Sequence, residues 1–293
     1  MKFKSLKVLL LIFILLAFGA GIYIVVQNRP SSKTPFANKE LTKIEVEGRD
    51  TTCVFEKRAE GGATSGGATS GGATSGWKIV KPAEYAVDTV AFNGLLEALK
   101  SLEIGEAVSS RKEKQENLEV GENGIRIKVF WDNKSKELII GKMAGDFMHW
   151  YIRFPPKNEI YLSTGVSKYM VYRNTDDWRD HTILVFDTNK VAEMDLGEQK
   201  IVRTDAGWTN ADTIIEASKV NPILSMLGNF RADGFGKEEF EPEFEVKIVF
   251  TDNTEKHIFI GDKGEGDKYP AKVEGNATIF LLYQWKVDKL KKI

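Results

Sequence analysis

The chain is 293 residues long, 42% hydrophobic and 28% charged, a composition that excludes a disordered polymer and leaves room for two ordinary domains. Lys and Arg number 41 against 42 Asp and Glu, so at a net charge of -1 there is no global basic field to gather nucleic acid or anionic lipid. One cysteine, Cys53, and three histidines exclude an intramolecular disulfide framework and a cysteine-rich structural zinc site.

The N-terminus carries the strongest local signal. Lys2, Lys4 and Lys7 form a cationic flank (residues 1–7) before an uninterrupted apolar run from Val8 to Val26. As a helix rising about 1.5 Å per residue, this run approaches the ~30 Å hydrocarbon thickness of a bilayer. It continues through Ile22, Tyr23, Ile24, Val25 and Val26 with no small-x-small cleavage site, which points to an uncleaved transmembrane anchor at 8–26. The flank then stays cytoplasmic, and everything beyond is extracytoplasmic, periplasmic at a bacterial inner membrane. Ala17 and Gly21 have the small-xxx-small spacing that lets membrane helices pack closely, although small residues are common in such helices in any case. Residues 27–40 are a polar tether containing Pro30 and Pro35.

From 41 onward the pattern predicts strands at Thr42–Glu47, Thr52–Arg58 and Trp77–Lys81. Between the second and third lie three copies of GGATS, Gly61 to Ser75, then Gly76. The tract lacks large apolar side chains and reads as an insertion at a hairpin tip, where added length costs little closure entropy. Trimming Gly61–Ser75 to two glycines is expected to leave the melting temperature unchanged or raised; a clear loss of folding by circular dichroism would reject the assignment. Val87, Ala91, Leu95, Ala98, Leu99 and Leu102 then predict one helix face, with Asp88 as its cap.

Next comes a duplicated sentence. Ile125 to Lys142 reads IRIKVFWDNKSKELIIGK and Val246 to Lys263 reads VKIVFTDNTEKHIFIGDK, each two alternating strands about an Asp-Asn turn. Aligned on that turn, the apolar positions before it fall out of phase by one residue, which a bulge or a different turn in one copy would reconcile. Strands follow at His149–Phe154 and Glu159–Leu162, or Lys268–Val273 and Thr278–Leu282, and helices at Ser167–Asp177 and Tyr283–Lys292. Asn221-Pro222 is read as starting the second copy's earlier helix. The expected fold is α+β: two tandem homologous lobes, 41–187 and 188–293, of antiparallel strands with packed helices, the first carrying the flexible insert 61–76.

Catalytic signatures are missing. His149, His181 and His257 are scattered, and no H-E-x-x-H, nucleophile elbow, phosphate loop or calcium loop is present. Cys53 reads as a packed small hydrophobe and His257 as a surface strand residue. Asp176-Asp177-Trp178-Arg179-Asp180 offers adjacent carboxylates, which at a helix end serve more often as caps than as a glycosidase pair. Trp150, Tyr151, Arg153, Trp178 and Arg179 are the candidate contacts for a partner or glycan; neighbours on a strand face opposite ways, which places one of Trp150 and Tyr151 in the core.

The succession GWKIVKP, a leucine-rich helix, VGENG, ELIIGK, WYIRF, IYLSTG and DDWRDHTILVFDTNKVAEM resembles the bacterial family catalogued as domain of unknown function 4340. Its segment Asp177-Trp178-Arg179-Asp180, then Leu184–Asp187, is the most specific part. The resemblance implies a membrane-anchored accessory subunit of a gliding-motility-type ABC transport system, with a permease or related auxiliary protein as partner. It implies no catalytic residue, cofactor or metal. The reading is therefore a non-enzymatic extracytoplasmic subunit or scaffold; the alternatives are a membrane-tethered envelope-polymer hydrolase and a glycan- or peptide-binding module.

Overall fold

The computed structural model describes residues 33–58, 76–211 and 213–291. The cationic flank, the apolar run with Ala17 and Gly21, the tether up to residue 32 and the three GGATS copies at Gly61–Ser75 lie outside these residues. Among the described residues, no helix is long and apolar enough to cross a membrane.

In chain order the elements are β1 (Lys43–Glu47), β2 (Thr52–Lys57), β3 (Trp77–Lys81), β4 (Tyr85–Ala86), α1 (Thr89–Lys100), β5 (Glu103–Ser109), α2 (Lys114–Asn117), β6 (Ile125–Trp131), β7 (Lys134–Met143), β8 (Trp150–Arg153), β9 (Ile160–Thr164) and α3 (Lys168–Val171). There follow β10 (Thr182–Val185), β11 (Val191–Asp195), β12 (Lys200–Thr204), β13 (Gly207–Asn210), β14 (Thr213–Ile215), α4 (Ala217–Gly228), β15 (Asn229–Arg231), β16 (Gly234–Phe235), β17 (Pro242–Phe250), β18 (Glu255–Gly261), β19 (Lys268–Val273), β20 (Phe280–Tyr283) and α5 (Gln284–Lys291). Antiparallel strands dominate and helices are few, an α+β fold. The chain folds as two compact units: the described residues up to Glu47 with Gly94–Tyr172, and Gly48–Asn93 with the described residues from Arg173 onward.

In the first unit the hydrogen-bonded order is β1-β6-β7-β8-β9-β5. Alternation on β1 and β6 buries Ile44, Val46, Ile127 and Val129 on one face, as a period of two requires. Val120, Ile139 and Ile160 form a smaller cluster, with Leu118 and Tyr151 packed against it.

The second unit contains the ladder β2-β3-β4, the pair β10-β15 and a nine-stranded sheet of order β14-β13-β12-β11-β17-β18-β19-β20-β16. One continuous core joins that sheet to α4 and α5, with Met194, Ile201, Trp208, Ile223, Leu227, Phe230, Ile248, Ile260, Leu282 and Leu290 among its members.

The two repeated hairpins differ in their turns. Asp132 and Asn133 both have positive φ (45° and 57°) and alone connect Trp131 to its partner Lys134, the two-residue turn that matches strand twist. In the other hairpin the Phe250 N–H donates to the Thr254 carbonyl across three residues, Thr251, Asp252 and Asn253, and only Asn253 has positive φ (63°). The extra residue shifts the strand by one relative to the Asp-Asn pair, so Ile127 and Val129 correspond to Val246 and Ile248, and all four are buried. The one-residue phase discrepancy is thereby accounted for.

Other boundaries moved. The helix expected over Ser167–Asp177 stops at Val171, because Tyr172 (φ -82°, ψ 78°) leaves helical geometry, and a separate 3-10 turn forms at Thr175–Trp178. The helix expected to start at Asn221-Pro222 begins at Ala217, with Pro222 inside it. Pro222 is the sixth residue of the helix, past the first-turn positions whose N–H groups lack a partner, so the helix forgoes one backbone bond there, to the Ser218 carbonyl. β4, β5, β10 and β14–β16 were absent from the sequence reading; most are only two to four residues long, too short for alternation to register.

Candidate functional site

The segment Asn174–Thr182, in the second unit, concentrates the charged and aromatic residues that the sequence singled out. Its 3-10 turn is closed reciprocally: the Asp177 N–H donates to the Asn174 carbonyl at 3.1 Å, and the Asp177 carboxylate accepts the Asn174 N–H at 3.0 Å. The Asp50 carboxylate accepts the Thr175 N–H at 3.1 Å. Partial burial opposes ionisation of Asp50, but the hydrogen bonds from Thr175 and Thr51 outweigh it and leave the pKa below its ordinary value. Cys53 is fully buried with its Sγ 3.6 Å from Thr175 Oγ1, and burial pushes the thiol pKa up, so it serves as packing rather than as a nucleophile.

Trp178 is wholly enclosed, edge-on to Phe55 at 5.3 Å with the Arg173 guanidinium 5.0 Å from its ring. Its carbonyl accepts the Asp88 N–H at 2.8 Å, and the Asp88 side chain accepts from Val90 and Ala91, capping α1 as expected. Asp88 also pairs with Arg231 at 2.8 Å. The Arg179 guanidinium lies between two rings, 3.9 Å from the Tyr85 centroid and 3.5 Å from that of Phe235, and bonds Asp176 at 3.0 Å. Both ring nitrogens of His181 face carbonyls, those of Ala232 and Asp176. Asp180 accepts the Thr182 N–H. Every acid of the Asp176–Asp180 stretch is thus occupied in closing a turn, pairing with arginine or ordering backbone.

A family model described as Domain of unknown function (DUF4340) matches residues 77–243. The chain belongs to this family. The match takes in the whole Asn174–Thr182 segment with the ring partner Phe235, and Arg231. No curated protein and no solved structure matches the chain.

The remaining candidates lie within the family match but in the first unit, on β8. Trp150 is 9% exposed, its ring edge-on to Tyr169 at 5.3 Å. Tyr151 points to the opposite face against the Val120 cluster. Arg153 donates to the carbonyls of Val120 and Lys157. These three are engaged in packing and in holding backbone.

His257, on β18, lies among acids. The Glu245 hydrogen bond raises its pKa above the ordinary imidazole value, and Glu255 adds to the effect despite partial burial. Among the described residues no cluster of three or more His, Cys, Asp and Glu is arranged to hold a metal. A shallow groove of ≈ 330 Å³ opens between Phe240, Phe259 and Val273; the ion pair of Lys272 and Glu239, two of its lining residues, measures 3.0 Å. Sequence reasoning passed over Phe147, Met148 and Tyr169, which are 77%, 73% and 76% exposed. The dipeptide Phe147-Met148 beside a predicted strand reads as core until the turn between β7 and β8 is known.

Proposed function

We propose that this chain is an internally duplicated, membrane-tethered, non-enzymatic subunit that docks on a transporter or envelope assembly outside the cytoplasm of a bacterial cell. The observation that carries the proposal is a repeated strand order. β1-β6-β7-β8-β9-β5 recurs as β11-β17-β18-β19-β20-β16, and β2-β3-β4 recurs as β12-β13-β14. In each series a twelve-residue helix, α1 or α4, follows the short third hairpin strand. The hairpins β2-β3 and β12-β13 close at glycines of positive φ, Gly76 and Gly207, which supports reading GGATS as an expansion of one hairpin tip.

Duplication of a whole α+β lobe multiplies surface, which suits docking. In the most family-specific segment the acids, arginine and histidine are spent on intramolecular bonds, which supports a structural reading over hydrolysis. The run Val8–Val26 supports a single span with the N-terminus inside, and Ala17 and Gly21 are the proposed contact with a partner helix. The resemblance to accessory proteins of ABC-type transport systems favours a permease or its auxiliary protein as partner.

The test is crosslinking of the full-length chain in native membranes, then detergent solubilisation and affinity recovery. Co-recovery of an integral membrane transport component in stoichiometric yield is expected. Recovery of the chain only as a free monomer overturns the subunit reading.

A further inference from the structure

The turn between β7 and β8 is a built feature. The Ala144 N–H donates to the His149 carbonyl at 2.8 Å, and the Phe147 N–H donates to the Ala144 carbonyl at 3.1 Å. The Asp146 carboxylate accepts both the Met148 and His149 N–H groups and lies 2.6 Å from the His149 ring nitrogen. Those bonds, led by the one from Met148, hold the Asp146 pKa at about 2. The turn places Phe147 at φ 58°, a left-handed conformation that a bulky residue seldom adopts, and leaves Phe147 and Met148 standing in solvent. The fold does not demand an apolar tip, since the equivalent connection between β18 and β19 reads Asp262-Lys263-Gly264-Glu265-Gly266-Asp267.

The N-terminal segment joins the same unit a short way from this tip. Lys33 pairs with Ile104, Ile104 with Ser163, Ser163 with Trp150 and Trp150 with Met143, a single transverse row of backbone partners. At about 4.8 Å per strand the row is roughly 20 Å wide. Only residues 27–32 separate the apolar run from Lys33, and such a stretch spans at most about 25 Å. A unit tethered so closely has its hairpin tip within reach of the bilayer surface. Tyr169, exposed and edge-on to the buried Trp150 at the base of the turn, is of a residue type that favours the membrane–water interface.

We propose that Phe147 and Met148 insert into the interfacial layer of the lipid bilayer, so that the first unit is held to the membrane at a second point beyond its N-terminal run. The proposal rests on the tethered reading given above, and its test separates the two. The full-length chain is reconstituted in phosphatidylcholine vesicles with an environment-sensitive fluorophore on one introduced cysteine, at Leu15→Cys, Met148→Cys or Lys134→Cys; Cys53, fully buried, is left in place. Lys134 starts β7 and so lies at the far end of that strand from the tip.

The expected result is a blue shift and quenching by deep nitroxide lipids at position 15, quenching by headgroup-proximal nitroxides at position 148, and neither at 134. Adding Phe147→Asn, which suits positive φ better, is expected to reduce quenching at 148 severalfold without lowering the melting temperature. A water-like probe at 148 with position 15 quenched overturns the insertion and leaves the tether standing. A water-like probe at 15 overturns the tether and the insertion with it. Shielding of 148 in native membranes but not in pure lipid assigns the tip to a protein partner and also overturns the proposal.

Discussion

Replacing Trp178 with alanine lowers the free energy of unfolding by about 3–5 kcal/mol, the usual range for truncating a fully buried large aromatic. Trp178 is 0% exposed and stacks edge-on against Phe55, whose ring also meets Phe92 at 4.9 Å. Its backbone carbonyl holds the Asp88 N–H, so a collapse at this site also loosens the start of α1. Trp178→Phe is expected to cost far less, about 1–2 kcal/mol: a ring still fills most of the space, and the Nε1–H, which finds no acceptor among the described residues, is removed. Urea denaturation followed by circular dichroism, at unchanged m value, measures both. Equal losses for the two variants would mean that ring packing is not what Trp178 contributes.

That site also shows how far sequence reasoning reaches. The repeated hairpin, the Asp88 cap and the opposite-facing Trp150 and Tyr151 were all legible, because period-two alternation, cap chemistry and the strand pleat act over a few neighbouring residues. The discrepancy in hairpin phase was legible as a discrepancy; its resolution required knowing that Asn253 alone, and not Asp252, takes positive φ. The role of Trp178 and Arg179 was not legible. An Asp-Asp-Trp-Arg-Asp string is equally suited to an exposed binding patch and to a buried junction. What decides is the arrival of Phe55, Tyr85 and Phe235 from distant parts of the sequence. The Phe147-Met148 tip was missed for the converse reason: apolar residues are assigned to the interior unless a turn is known to expose them.

A second large effect is expected at the ion pair beneath α5. Lys286 Nζ bonds Asp233 Oδ1 at 2.8 Å and the Arg231 carbonyl at 2.6 Å, and the two side chains are only 9% and 15% exposed. Asp233 Oδ2 accepts the Tyr283 N–H at 2.9 Å and the Asp233 backbone carbonyl accepts from Lys268, so this one residue gathers the end of β20, the start of β19 and the first turn of α5. Asp233→Ala leaves a buried ammonium with the Arg231 carbonyl as its remaining hydrogen-bond partner and the Trp285 ring 5.4 Å away, and an uncompensated buried charge costs about 3–5 kcal/mol. The double variant Asp233→Ala with Lys286→Met removes both charges while retaining much of the lysine stem's packing. It is expected to recover about 2 kcal/mol or more of that loss, since a desolvated pair returns little beyond what an apolar replacement supplies. A double-mutant cycle by urea denaturation reads the coupling directly. If the double variant is no more stable than Asp233→Ala alone, the stranded charge is not the source of the loss, and the hydrogen bond to Tyr283 must account for the role of Asp233.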